Sequence, residues 1–234
     1  MEIQYLTGFV QGHIVSDDIN ITGLALNNHV IGLILFESSD FPKLKFDGVM
    51  GFARSSLSTI PGVLTPVESL AKQGSIKEAI TSYKIPRLSD GLNDGEITFG
   101  GLDQSKFDPK TLVTISNINQ QGYWEAGFTV SVNGKDLGLE GRTGILDTGT
   151  TLLIVPEADA KTIHAEIPGA KSDGQSGYLV PCTTTAVVSL TFGGQQFDIN
   201  PLDLVYFPVD QNNLKGDCYS GITPGTFGTA TQWL

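Results

Sequence analysis

The chain has 234 residues, of which 28 are Gly and 17% are charged, with a formal net charge of −11. That length can bury a sizeable core, and an acidic balance with no basic block excludes a nucleic-acid-binding surface. No apolar run approaches transmembrane length, so no membrane partner is expected. Abundant Gly with few charges suits an all-β chain of many tight turns. A total of only 14 Lys and Arg also suits a protein working at low pH, where few bases remain to repel one another once the carboxylates are protonated.

The opening "MEIQYLTGFV" reads as the middle of a strand. It lacks the basic start, the apolar core and the cleavage site of a signal peptide. The segments "HIVSDDINITGLALNN" and "HVIGLILF" follow as strands, and Asn20-Ile21-Thr22 is an N-glycosylation sequon, meaningful only in a secreted chain. A helix is predicted in "TPVESLAKQGSI". Thr65 is its N-cap, Pro66 takes the first position, and Glu68 completes a capping box.

"GEITFGG" is a further strand. Pro and polar residues in "KFDPKTLVTISNINQQGYW" then mark a boundary, giving domains 1–110 and 111–234. Beyond it, "GFTVSVNG", "VVSLTFGGQQFDI" and "LDLVYF" are strands, punctuated by Asn133-Gly134 and Gly193-Gly194 as hairpin turns. "PEADAKTIHAEI" is a second helix, with Pro156 and acidic residues in its first turn and Ile163 and Ile167 on one face. Cys182 and Cys218 fit either one disulfide or two buried thiols.

The candidate for chemistry is Asp147 in "GILDTGTTLLIVP". Ile145 and Leu146 before it, and Leu152 to Val155 after it, are expected to bury both arms of a polar turn. Gly149 lets the backbone approach, and its amide with the Thr hydroxyls can hold the carboxylate in one orientation. An Asp at the first position of an ordinary β-turn is the plainer alternative. His164-Ala165-Glu166 with Pro181-Cys182 lacks the second Cys of a zinc-deaminase site, so His164 is expected on a helix face. No metal site and no cofactor is expected. Tyr123 and Trp124 are read as buried structural aromatics.

In context, "GILDTGTTLLIVP" resembles the second active-site segment of the pepsin-like aspartic endopeptidases (family A1), of fungal type. "FDGVMGFA" (46–53) resembles the apolar segment that threads the family's first active-site loop. "YLTG" (5–8) resembles the tip of its flap, with Leu6 where the family usually carries Gly. "ITFGGLD", "GYW" and the Cys182…Cys218 pair follow in the family's order.

The resemblance implies a mostly β, two-lobed fold, incomplete at both ends, with a first-lobe remnant followed by the lobe bearing Asp147. It implies Asp147 as a catalytic carboxylate, and Gly149, Thr150 and Thr151 with Tyr5, Leu6 and Thr7 as substrate-binding residues. It further implies a Cys182–Cys218 disulfide, a polypeptide substrate or peptide-like inhibitor as partner, a monomer, and a secreted or vacuolar location.

The family pairs two such Asp residues, and this chain has one Asp-Thr-Gly segment. Ser89-Asp90-Gly91 and Ser172-Asp173-Gly174 lack apolar flanks and read as exposed turns. Besides an endopeptidase acting at acid pH, the sequence therefore admits a non-catalytic peptide-binding remnant or pseudo-protease. It also admits a homodimer pairing two copies of Asp147.

Overall fold

Alternating and β-branched segments separated by turn residues become strands throughout the chain, as a computed structural model shows. It describes residues 1–5 and 8–234, with only the backbone of Leu88. The chain divides into two compact units, Met1–Phe107 and Asp108–Leu234.

In the first unit, β1 (Glu2–Gln4), β2 (Phe9–Ile21) and β3 (Leu24–Glu37) form one antiparallel sheet. The register of β2 on β3 shifts at Gln11/Gly12 and again at Asp17/Ile19. Such bulges bend and twist a long hairpin. Helix α1 (Pro66–Lys72) packs against β3 through buried Val67 and Leu70. Its capping box is present as the sequence predicts. The Thr65 hydroxyl accepts from Glu68 N at 3.2 Å, and Glu68 Oε2 accepts from Thr65 N at 2.9 Å. A short hairpin of β4 (Thr81–Lys84) and β5 (Glu96–Phe99) completes the regular structure. Much of this unit's apolar surface is exposed, Leu33, Leu35, Phe36 and Val49 included.

The second unit holds the larger core. Strands β6 (Glu125–Val132), β7 (Lys135–Asp136) and β8 (Arg142–Ile145) are followed by β9 (Leu153–Val155) and α2 (Glu157–Ala165). Then come β10 (Lys171–Ser172), β11 (Tyr178–Pro181), β12 (Val188–Phe192), β13 (Gln195–Ile199) and β14 (Val205–Pro208). Strands β15 (Asp217–Ser220), β16 (Ile222–Pro224) and β17 (Gln232–Trp233) end the series.

The main sheet has the order β13-β12-β6-β8-β17, with β7 paired to β6. Along β6, Ala126, Phe128, Val130 and Val132 point inward while Gly127 and Thr129 face out. This is the period-two pattern of a half-buried strand. Both predicted hairpin turns are present, Asn133-Gly134 and Gly193-Gly194, with all four residues at positive φ, as two-residue type I′ turns require.

Helix α2 starts one residue later than the sequence suggests. Pro156 is its N-cap, outside the first turn, because its extended φ and ψ of −51° and 144° cannot continue into the helix. Ile163 and Ile167 are both buried, Ile167 just past the helix end. Cys182 and Cys218 form the disulfide, which excludes the two-thiol alternative and any role for Cys182 as a metal ligand. It ties the end of β11 to β15. Among the described residues, no helix is long and apolar enough to cross a membrane.

Candidate active site

Asp147 lies in the turn between β8 and β9, and the two arms of that turn are held by different neighbours. β17 pairs with β8 in parallel, Gln232 opposite Thr143 and Trp233 opposite Gly144. β16 pairs with β9 in parallel, Ile222 opposite Leu153 and Pro224 opposite Val155. Ile154 and Leu234 also exchange backbone hydrogen bonds of 2.7 and 2.9 Å. A carboxylate placed between arms fixed in this way has little freedom to drift.

The turn itself supplies two donors. Asp147 Oδ1 accepts the Gly149 amide at 2.8 Å, and Oδ2 accepts the Thr150 hydroxyl at 2.6 Å. Each oxygen is thus held by one charge-assisted bond, and each keeps further acceptor capacity. A Cβ at Gly149 would lie 3.1 Å from Asp147 Oδ1, so the bare glycine is what allows the amide to close on the carboxylate. Asp147, Thr148, Gly149 and Thr151 are exposed, and Thr150 is half-buried behind them.

The expectation that apolar flanks bury both arms holds for Ile145 and Val155 but not for Leu146, which is 60% exposed. Strand alternation is the reason, since Leu146 points opposite to buried Ile145. Trp124 departs in the same way. Read as a buried structural residue, it is 47% exposed, and its carbonyl accepts the Leu146 amide at 2.9 Å. An exposed indole just before β6 and an exposed leucine just after β8 are therefore joined by a backbone hydrogen bond next to Asp147. Tyr123 is half-buried, edge-on to Phe227.

Two carboxylates that the sequence reading passed over support this region. Glu125 is buried opposite Ile145 in the β6–β8 register. Burial alone would raise its pKa, but hydrogen bonds from Thr143, Asn119 and Gln232 hold it below the ordinary value. Its oxygens are thereby engaged in the wall and are not offered to a ligand. Asp159 of α2 is fully buried and accepts Arg142 Nε at 2.8 Å, Arg142 Nη2 at 2.7 Å and Trp233 Nε1 at 2.8 Å. This cluster bolts β8 and β17 to the helix.

In the first unit, Tyr5 begins the turn between β1 and β2. Its amide donates to Gly8 O at 2.7 Å, and its ring packs on Phe41 at 5.6 Å. Leu6 and Thr7, the other expected substrate-binding residues of this turn, lie outside the described residues. The segment 46–53 has no strand, with Phe46, Val49 and Met50 exposed. His164 is buried on α2, its Nδ1 2.7 Å from Ala160 O and its Nε2 2.8 Å from Ser220 Oγ. It stacks on Tyr178 at 4.0 Å, and no metal-ligand cluster occurs among the described residues.

Comparison with known proteins bears on the same features. The chain is 37% identical over 236 aligned residues to a protein named probable aspartic-type endopeptidase CTSD of Trichophyton verrucosum, covering 99% of this chain and 44% of that protein. A protein of the same name from Arthroderma otae is 37% identical, with 100% and 60% covered. Rhizopuspepsin of Rhizopus chinensis is 32% identical, with 94% and 54% covered. The chain thus spans about half the length of the curated relatives it matches. The model of the family described as eukaryotic aspartyl protease matches residues 1–232. With a mostly β fold, an Asp-Thr-Gly turn whose two arms are clasped by β16 and β17, and a match running nearly end to end, the chain belongs to the eukaryotic aspartyl protease family.

Proposed function

We propose that these residues form part of an endopeptidase that hydrolyses peptide bonds in proteins at acid pH, with Asp147 as one of its two catalytic carboxylates. The observation that carries this reading is the exposed Asp147 carboxylate, fixed by one donor on each oxygen. Fixed in this way, a carboxylate can accept a proton from water as the water attacks the scissile carbonyl. The partner acid protonates the carbonyl oxygen, since two carboxyl groups sharing one site cannot both ionise.

In this reading Gly149, Thr150 and Thr151 bind the substrate backbone. Tyr5, Leu6 and Thr7 act as the flap residues that contact the substrate. The two units are the family's lobes, the substrate is a polypeptide, and the enzyme acts as a monomer. The Cys182–Cys218 disulfide supports a secretory or vacuolar route, because such bonds persist in oxidising compartments.

The test is cleavage of a denatured protein substrate from strongly acid to neutral pH, beside an Asp147→Asn variant. Acid cleavage that vanishes in the variant supports the reading. Acid cleavage that survives in the variant overturns it. A folded protein that contains these residues together with a second catalytic carboxylate, and that cleaves at no pH, overturns it in favour of the non-catalytic, peptide-binding reading.

A further inference from the structure

We propose that Asn20 is an N-glycosylation site, accepting an oligosaccharide from a polyisoprenyl-diphosphate donor onto its side-chain nitrogen. The inference rests on the secretory route proposed above. Asn20-Ile21-Thr22 is the one Asn-X-Ser/Thr tripeptide in the sequence. It falls at the tip of the β2–β3 hairpin, where a modifying enzyme has access. Asn20 and Thr22 are both exposed. Asn20 Oδ1 accepts the Gly23 amide at 2.8 Å, which fixes the carboxamide and leaves its Nδ2 without a hydrogen bond among the described residues.

The second observation is the backbone of the turn. Thr22 and Gly23 are its two central residues, with φ of 51° and 94°. Both being positive marks a type I′ turn, whose first position favours Asn, Asp or Gly. The matching β6–β7 turn follows that rule with Asn133 at φ 51°. The other non-glycine residues at positive φ among those described are Asn28, Asn93 and Ser176. Thr22 alone is β-branched, and a β-branched residue is strained in this region.

Its exposed side chain makes no hydrogen bond among the described residues that would offset the strain. The hydroxyl that a sequon requires at its third residue accounts for a threonine there. Strain retained at an exposed turn is a pointer to function.

The transfer is a substitution at the sugar's anomeric carbon. A C–N bond forms to Asn20 Nδ2, the C–O bond to diphosphate breaks, the lipid diphosphate leaves, and the amide loses one proton.

The experiment expresses the 234-residue chain in yeast behind a cleavable secretory leader, so that the leader supplies the route. The secreted chain should migrate as a heavier species that peptide N-glycosidase collapses to the mobility of the unglycosylated chain, leaving Asp at position 20. Asn20→Gln and Thr22→Asn should each abolish the shift, and Thr22→Ser should keep it at reduced occupancy. Thr22→Asn should also raise the urea midpoint above that of the parent chain made without glycan in bacteria and oxidised to its disulfide, because Asn suits the turn.

A secreted chain carrying the intact disulfide but no glycan would overturn the inference, as would a glycan that survives in Thr22→Asn. Failure of the route reads differently. In its native cells, a chain with reduced Cys182 and Cys218 and no glycan would overturn the secretory reading, while the leader-driven result still decides the site.

Discussion

Arg142 closes on Asp159 with two parallel bonds of 2.8 and 2.7 Å, joining the strand that leads to Asp147 to the helix that follows it. The carboxylate is fully buried and the Trp233 indole completes its shell. Removing one partner strands the other's charge, which in buried pairs costs about 3–5 kcal/mol. Asp159→Ala is therefore expected to lower stability by about 3 kcal/mol, read as a fall in urea midpoint with an unchanged slope. Arg142→Lys should incur a smaller loss, keeping the charge while an ammonium cannot reproduce the planar fork.

Thr150 acts on the proposed chemistry through Asp147. Thr150→Val deletes the 2.6 Å donor to Oδ2 at nearly constant volume, and Thr150→Ser keeps it. In an active enzyme, turnover should fall about tenfold in the valine variant, the worth of one charge-assisted bond at a partly solvated site. The serine variant should recover most of it. Equal losses in both variants would show that the methyl group matters and the hydroxyl does not.

His164 predicts a pH dependence of stability. Burial lowers its pKa, although the bond to Ala160 O works the other way. The carbonyl can only accept, so Nδ1 carries the proton and Nε2 accepts from Ser220 Oγ. Tyr178 stacks on the ring. On the packed elements, Asp217 of β15 is paired with Lys171, and Glu166 beyond α2 is paired with Lys135.

With the folded pKa depressed, the neutral form is favoured by folding. Stability is whole above the unfolded value of about 6.5 and is lost as pH falls from there through the folded value. His29 is lowered by burial too and adds a term of the same sign. His164→Gln should flatten the decline in urea midpoint below neutrality while leaving the share due to His29.

Glu68 governs a lower window. Burial would raise its pKa, but hydrogen bonds from Thr65 and Ser55 hold it below the ordinary 4.5. Its contribution is present above the unfolded value and is lost as pH falls through the folded one. Glu68→Gln should remove that acid-side decline, seen as a shallower fall in urea midpoint under acid conditions. Thr65→Ala should cost about 1 kcal/mol at neutral pH through loss of the cap.

Local chemistry made much of the framework legible. Asn133-Gly134 and Gly193-Gly194 announce their turns because few residues tolerate positive φ, and Thr65 with Glu68 announces a helix start three residues apart. What stayed hidden is carried by distance along the chain. Asp159 meets Arg142 across 17 residues and Trp233 across 74, and no window of sequence joins them. Asp159 reads locally as one more acid in a helix's first turn, where its charge suits the dipole. Leu146 and Trp124 depart from the burial expected of them because apolar character predicts burial only on average. Pro156 was displaced by one position because a capping residue and a first-turn residue are alike in composition.

The parallel clasp on the two arms of the Asp147 turn also sets an order of events. A chain leaves the ribosome from its first residue onward, and the turn emerges some eighty residues before the strands that hold it. Until residues 222–234 dock beside β8 and β9, the carboxylate has its sequence but not its setting. Pairings so far apart in the chain are slow to form. The nascent polypeptide therefore carries an unassembled acid, and the fixed geometry of its turn arrives only once residues 222–234 have been made.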